Sequence, residues 1–275
     1  MKPAPFAYST PDTIDEAVAL LCEDDEARIL AGGQSLVPTM NFRLARPTRL
    51  IDINRIGSLD YVRQEDGDLR IGALARHRVF ERPVAGGLLG ALLPRVAHHI
   101  AHVPIRTRGT FAGSLAHADP ASEWCTLALA AGASITARGP SGEREIAAED
   151  FFDTVFTTTL EPGEMISEVR LPLPGDDWKA GFAEFARRAG DYAIVIATAF
   201  VRLSDGRVTE ARVCLGNVVD RPVRSDEAEA ALIGQAAEAS AFRAAGEAAA
   251  EAIEPHEDMH SDAAYKRDLI RAMVR

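Results

Sequence analysis

Two glycine-bearing segments constrain this chain most: Ala31-Gly32-Gly33-Gln34-Ser35 and Thr110-Phe111-Ala112-Gly113-Ser114. The first follows a short apolar run, Arg28-Ile29-Leu30-Ala31, which suits a strand delivering the backbone into a tight loop. Gly32 and Gly33 remove Cβ atoms where the chain leaves that strand, so consecutive N–H groups can converge on an anion such as a pyrophosphate. Gln34 and Ser35 add side-chain donors. Alone, a Gly-Gly pair after a strand reads equally as an ordinary turn, and its spacing is neither GxGxxG nor GxxxxGK[ST]. The second segment, from Arg108 to Ser114, combines small residues and hydroxyls with one large apolar side chain, Phe111, so a ligand can approach its main chain closely. It runs on to Glu123, a carboxylate about ten residues beyond, suited to ribose hydroxyls. The alternative is a polar surface loop followed by a helix capped at Ser122.

Around these segments the pattern is mixed helix and strand. Thr13-Ile14-Asp15-Glu16 is a capping-box pattern opening a helix that ends near Asp24, and Leu50-Ile51-Asp52-Ile53 alternates as a second strand. Asp66-Gly67 between alternating segments from Tyr61 to Ala73 predicts a β-hairpin. A helix is expected from about Gly87 to Ile100, then a loop from His102 to Pro120 without regular periodicity, then a helical run from Ser122 to Ala131. Long loops inside compact domains are usually functional. Pro172, Pro174 and Gly175-Asp176-Asp177 mark the expected domain boundary. After it come a second hairpin, Ala193 to Leu203 and Arg207 to Leu215 about the turn Ser204-Asp205-Gly206, two alanine-rich helices, and a terminal helix from Ala263 to Val274.

A formal net charge of -11 argues against nucleic acid or an anionic membrane as the main partner, because a phosphate-rich surface would be repelled. Neither a signal-like N-terminus nor a bilayer-length apolar run is found, so the expected location is the cytoplasm and no integral membrane segment is expected. Cys22, Cys125 and Cys214 lie too far apart for the short-range spacing of iron–sulfur or structural zinc ligands. His98, His99, His102 and His117 lack a carboxylate or cysteine at ligand spacing, and no metal site is expected.

The segments AGGQSLVP (Ala31 to Pro38) and TFAGSLAHADPASE (Thr110 to Glu123), with Glu164 to Pro172 and Phe185 to Ala193, resemble the FAD-binding medium subunit of molybdenum hydroxylases, the carbon monoxide dehydrogenase and xanthine dehydrogenase family. The resemblance covers nearly the whole chain. It implies an α+β, PCMH-type FAD-binding fold of two α/β subdomains (residues 1–172, divided near 55) followed by a small C-terminal domain of antiparallel strands with helices (residues 176–275).

On this resemblance Leu30, Ala31, Gly32, Gly33, Gln34, Ser35, Leu36 and Val37 wrap the FAD diphosphate, and Thr110, Ala112, Gly113 and Ser114 close over it from the other side. Glu123 takes the place of an aspartate near the ribityl or ribose hydroxyls. His117 and Asp119 are counted with these contacts, although Asp119 serves equally to cap the turn at Pro120. Ile100 and Ala101, Ile166 and Tyr192 fall where the family packs residues at the flavin ring. The resemblance further implies a large subunit with a molybdopterin cofactor and a small subunit with two [2Fe-2S] clusters, assembled as a dimer of heterotrimers. Electrons would pass through the clusters to FAD and on to an external acceptor, with no acid or base catalyst on this chain. A self-contained FAD-dependent oxidoreductase and an FAD-loaded scaffold are the competing readings.

Three departures stand out. Ala112 replaces a family glycine and requires a negative φ or a more distant cofactor. Gln34 replaces a frequent histidine, and the lysine common before the Arg187-Arg188 pair is Ala183 or Glu184 here. That arginine pair reads equally as a phosphate contact or as a salt-bridged surface feature beside Glu184 and Asp191.

Overall fold

The computed structural model describes residues 1–275. The chain opens with three parallel strands, β1 (Ala7–Ser9), β2 (Arg28–Leu30) and β3 (Arg49–Asp52), in the order β1-β3-β2. Parallel pairing demands crossovers, supplied by helices α1 (Ile14–Cys22) and α2 (Leu36–Asn41). Thr13 caps α1 by accepting from the Glu16 amide at 3.2 Å, while Glu16 accepts from the Asp12 amide at 2.9 Å. This unit carries the Gly32-Gly33 loop between β2 and α2.

The second layer is a five-stranded antiparallel sheet built from β4 (Val62–Glu65), β5 (Asp68–Gly72), β6 (Ser134–Gly139), β7 (Gly142–Ala147) and β10 (Met165–Pro172), in the order β4-β5-β10-β6-β7. The expected hairpin turns at Asp66 and Gly67, both with positive φ. Between β5 and β6 run α3 (Gly87–His99), α4 (Val103–Arg106), α5 (Phe111–His117) and α6 (Glu123–Ala131). Helix α7 (Ala148–Phe151) and the small pair β8 (Phe152–Thr154) and β9 (Thr157–Thr158) follow β7. In α6 every residue after Glu123 is buried, as befits a helix that is apolar all round. Trp124, Phe80 and Phe111 pack there with ring centroids 4.8–5.5 Å apart.

The expected loop from His102 to Pro120 is a correction. It holds α4 and α5, with Pro104 in the first turn of α4 and Thr110 capping α5 by accepting from the Gly113 amide at 3.0 Å. Phe111, Ala112 and Leu115 form the buried face of α5, an i, i+1, i+4 stripe too short to show as periodicity.

The C-terminal part is a four-stranded antiparallel sheet, β11 (Trp178–Ala186), β12 (Ala193–Ser204), β13 (Arg207–Gly216) and β14 (Val223–Arg224), in sequence order. Its strands alternate between two cores. Phe182, Ile196, Phe200 and Cys214 join the main core shared with the preceding layers. Val195, Ala197, Val201, Val213 and Leu215 face α8 (Asp226–Leu232), α9 (Ala239–Ala252) and α10 (Ala263–Val274), against Ala245, Ala249 and Ile270. β11 packs against α3, and β12 and β13 against α6, along a seam between this sheet and the helical layer.

Candidate cofactor site

Leu30 stands opposite Asp52 in the β2–β3 pair, so both strands release the chain at the same edge. There Leu30, Ala31, Gly32, Gly33, Gln34, Val37, Pro38, Asp52, Asn54 and Arg108 line an open cleft of about 310 Å³. The carboxyl ends of parallel strands are where such folds place ligands. Asn54 Nδ2 donates to Ala31 O at 2.8 Å and to Asp52 Oδ1 at 2.6 Å. The Tyr8 hydroxyl donates to the other Asp52 oxygen, and Arg76 donates to Asn54 Oδ1 and to Arg108 O. Burial alone would raise the Asp52 pKa, but the hydrogen bonds from Tyr8 and Asn54 outweigh it and hold the carboxyl below its usual range. This polar strap ties the first loop to β3 and to the segment ahead of α5.

The two glycines of the first loop have different jobs. Gly33 adopts φ +69°, the left-handed region open to glycine at no steric cost. Gly32 is where two backbones touch: a Cβ there would lie 2.4 Å from Arg108 O and 2.6 Å from Gly109 Cα. The amides of Gly32, Gly33, Gln34 and Ser35 donate to no backbone or side-chain acceptor in the chain, whereas those of Val37 and Thr39 already serve α2. Consecutive free donors beside a left-handed residue are the elements from which an anion-binding concavity is made. Gln34 Nε2 folds back onto Gly32 O at 3.0 Å and steadies the loop. Ser35 and Leu36 form the entry to α2, just outside the cleft lining.

The second segment meets the first through Arg108 and Gly109 rather than through the body of α5. Gly109 sits over His77, whose amide donates to Gly109 O at 3.0 Å; a Cβ on Gly109 would fall 2.5 Å from His77 Nε2. Burial drives the His77 pKa down to about 4, so its Nδ1 is free to accept from Trp124 Nε1 at 3.0 Å. Thr110 is buried and engaged in its cap, and Gly113 is needed because a Cβ there would meet Thr110 Oγ1 at 2.5 Å. Ala112 is helical and only 3 % exposed, its methyl packed in the main core. Its φ is therefore negative, the first of the two alternatives posed by the sequence. Ser114 is half-buried on the same helix.

The remaining sequence-expected residues lie outside the lining of the cleft. Asp119 caps the turn, its Oδ1 accepting from the Ala121 amide at 2.9 Å. His117 stacks on Phe156 at 4.8 Å. Ile100 is buried, and Ala101 takes φ +41°, held by Arg106 Nη1, which donates to the carbonyls of both at 2.9 Å. Gly190 packs against this bend, a Cβ there falling 2.3 Å from His102 Cε1, and Tyr192, two residues on, is exposed. Ile166 is 5 % exposed at a bulge in β10 and belongs to the main core. Arg187 approaches His260 Nδ1 at 3.2 Å and pairs with neither Glu184 nor Asp191.

Sequence reasoning missed Asp52, Asn54, Arg76 and Arg108, and above all Glu184. The Glu184 side chain is 3 % exposed, its Oε2 has no hydrogen-bond partner, and its Oε1 lies 3.6 Å from His99 Nδ1. Burial pushes its pKa up to about 7. Glu123, at the N-terminus of α6, rises to about 8 through burial, then through Glu184 and Asp119.

A glycine loop with free amides at the edge of a parallel sheet, in close backbone contact with the segment ahead of a helical layer, has the shape that suits a phosphate-bearing ligand. Residues 4–174 match the family model described as the FAD binding domain in molybdopterin dehydrogenase, and residues 180–275 match the carbon monoxide dehydrogenase flavoprotein C-terminal domain. The chain belongs to this family of FAD-binding medium subunits of molybdenum hydroxylases, which are oxidoreductases. It is 40% identical over 276 residues to the 6-hydroxypseudooxynicotine dehydrogenase complex subunit alpha of Paenarthrobacter nicotinovorans, covering 100% of this chain and 93% of the relative. It is 36% identical to the carbon monoxide dehydrogenase medium chain of Hydrogenophaga pseudoflava, covering 100% and 96%. Among solved structures, the carbon monoxide dehydrogenase of that organism lacking the Mo-pyranopterin moiety superposes with a TM-score of 0.95 at 38% identity, covering 100% of this chain and 96% of that one. Quinoline 2-oxidoreductase from Pseudomonas putida 86 gives 0.91 at 36% identity, covering 100% and 95%.

Proposed function

We propose that the cleft holds the FAD diphosphate on the amides of Gly32, Gly33, Gln34 and Ser35, and that the isoalloxazine lies toward the seam lined by Ile100, Ala101, Glu123 and Tyr192. The observation that carries this reading is the set of four free amides beside the close approach of Gly32 to Arg108–Gly109. A concavity of that kind accepts phosphate oxygens without any side-chain charge. Thr110, Ala112, Gly113 and Ser114 act as the wall that fixes the second side, through backbone shape rather than side-chain contact. The division of the chain at residues 172–176 belongs to the same reading, supported by the alternation of β12 and β13 between two cores.

FAD, when bound, supplies an electron store that exchanges one or two electrons with its neighbours. The work of this chain is to position it, shield it and shape its electrostatics. In the holoenzyme we place it between a small subunit with two [2Fe-2S] clusters and an external acceptor, with substrate oxidised at a molybdopterin centre on a large subunit, in a cytoplasmic dimer of heterotrimers. The resemblance of the full chain to medium subunits supports this assignment. The test is to purify the chain alone and with its partners, and to follow flavin absorbance and substrate-dependent bleaching. Flavin bleached by an organic substrate without the molybdenum subunit would overturn the assignment. No flavin after FAD reconstitution would overturn the site.

A further inference from the structure

The seam between β11 and the helical layer holds a buried acid, Glu184, that the electron-transfer reading does not use. On β11 the side chains of Phe182 and Glu184 share the face turned toward α3. Phe182 meets the His99 ring edge-on at 5.1 Å, and Glu184 Oε1 lies 3.6 Å from His99 Nδ1. The carboxyl is 3 % exposed with Oε2 unpartnered, while the His99 side chain is 43 % exposed, so the pair leads from a buried acid to solvent. Leaving a buried carboxylate without hydrogen bonds is costly, and the neutral acid removes that cost. The charged and titratable groups about this pair are Arg95 and His98 beside His99 on α3, and Glu123 on α6 beside Glu184, with Asp119 and Tyr192 beside Glu123. From β12 the register partner is Ile196, which is apolar, and α10 packs through Tyr265 against Phe185 on the opposite face. No basic group is hydrogen-bonded to the carboxyl, and Glu123 adds a second acid to the same neighbourhood.

We propose that Glu184 is the proton-coupling residue of the flavin pocket, taking up one proton from solvent through His99 when electrons reach the cofactor and returning it when they leave. The inference rests on the seam being the flavin side of the site. Electrons add negative charge to a low-dielectric pocket, and negative charge nearby favours the protonated acid. The balance is simple: two electrons arrive from one-electron donors such as iron–sulfur centres or dithionite, the flavin takes its own proton or protons, and Glu184 takes one more from water at Oε1, the oxygen that faces His99 Nδ1. The electrons leave to an acceptor and that proton returns by the same route. Burial sets the acid at about 7 before electrons arrive. Below that pH Glu184 is already protonated and takes up nothing. Above it, up to about pH 8 where Glu123 still holds its own proton, reduction draws in one additional proton at Glu184.

The test uses the full chain loaded with FAD. Proton uptake on dithionite titration is followed with a pH indicator, and the flavin midpoint potential is measured from pH 5.5 to 9. The wild-type chain should gain one extra proton per two electrons between pH 7 and 8, with a matching steepening of the potential. Glu184→Gln, which keeps the shape and removes the proton, should abolish both while retaining FAD. His99→Phe should keep the uptake but slow it by about tenfold, with the rate restored by imidazole in the buffer. The same extra proton in Glu184→Gln, or its absence in the wild type, overturns the proposal; unchanged uptake kinetics in His99→Phe overturns the route. A ¹³C carboxyl titration of the FAD-free chain separates the proton site from the cofactor site. Glu184 titrating near pH 7 in a chain that binds no FAD would refute the cofactor site alone, whereas an ordinary carboxyl titration would refute the proton site alone.

Discussion

Gly32→Ala is the sharpest perturbation of the site. A Cβ at this position would lie 2.4 Å from Arg108 O, 2.6 Å from Gly109 Cα and 2.9 Å from Arg108 C, all backbone atoms that no rotamer change can move. Carbon contacts relax near 3.5 Å, so the first loop and the 108–109 segment must separate by about 1 Å. Overpacking of this size costs roughly 1–3 kcal/mol. Charged to the FAD-bound state, which needs both walls in place, it weakens binding about 5- to 150-fold at 1.4 kcal/mol per decade. The assay is quenching of FAD fluorescence by the FAD-free chain, with urea unfolding of the same samples to separate lost affinity from lost stability. Wild-type affinity together with wild-type stability would refute the claim that this close approach sets the geometry of the site.

Other expectations follow from the same coordinates. Gly33→Val, placing a β-branched side chain at φ +69° between Leu30 and Val37, should abolish FAD retention on gel filtration, whereas Ala112→Gly should retain FAD and lose about 1–2 kcal/mol in urea unfolding, because it removes a buried methyl from a helix. His77 is a base with its folded pKa pushed from 6.5 to about 4, so the unfolded chain binds its proton first as pH falls. Its contribution is complete above pH 6.5 and is lost between 6.5 and 4, a swing of about 3 kcal/mol that urea titrations should show and that His77→Asn should remove. Glu168 is 6 % exposed and accepts from Arg70 Nε and Nη2 at 2.9 Å each and from the Tyr61 hydroxyl at 2.5 Å. Glu168→Ala removes the shared acceptor of two half-buried groups, the Tyr61 phenol and the Arg70 guanidinium, which keeps only Glu65 at 3.0 Å, and should cost about 1–3 kcal/mol in thermal or urea unfolding.

The sequence made legible those elements whose signals were local. The Asp66-Gly67 turn, the Thr13 cap and the Ser204-Asp205-Gly206 turn each act within four residues, and the strands and helix they flank formed as expected. Helix α5 was hidden because its buried stripe spans barely one turn and its N-terminus carries small residues in place of acids. Strand β10 was not recognised as a strand because it lies in the middle of its sheet, buried on both faces, and so shows little alternation. At the site, the glycine loops could be read from composition, but the strap of Tyr8, Asp52, Asn54, Arg76 and Arg108 is assembled across strands and helices far apart in sequence. Glu184 looked like a surface neighbour of Arg187. Only the position of β11 against α3 reveals it as a buried acid facing His99.

The account stands most directly on where the diphosphate lies. A crystal structure of the chain loaded with FAD should place its phosphate oxygens within hydrogen-bond distance of the Gly32, Gly33, Gln34 and Ser35 amides, with Arg108–Gly109 on the far side and the isoalloxazine toward Ile100, Glu123 and Tyr192. A diphosphate bound elsewhere, with those four amides still free, would contradict it.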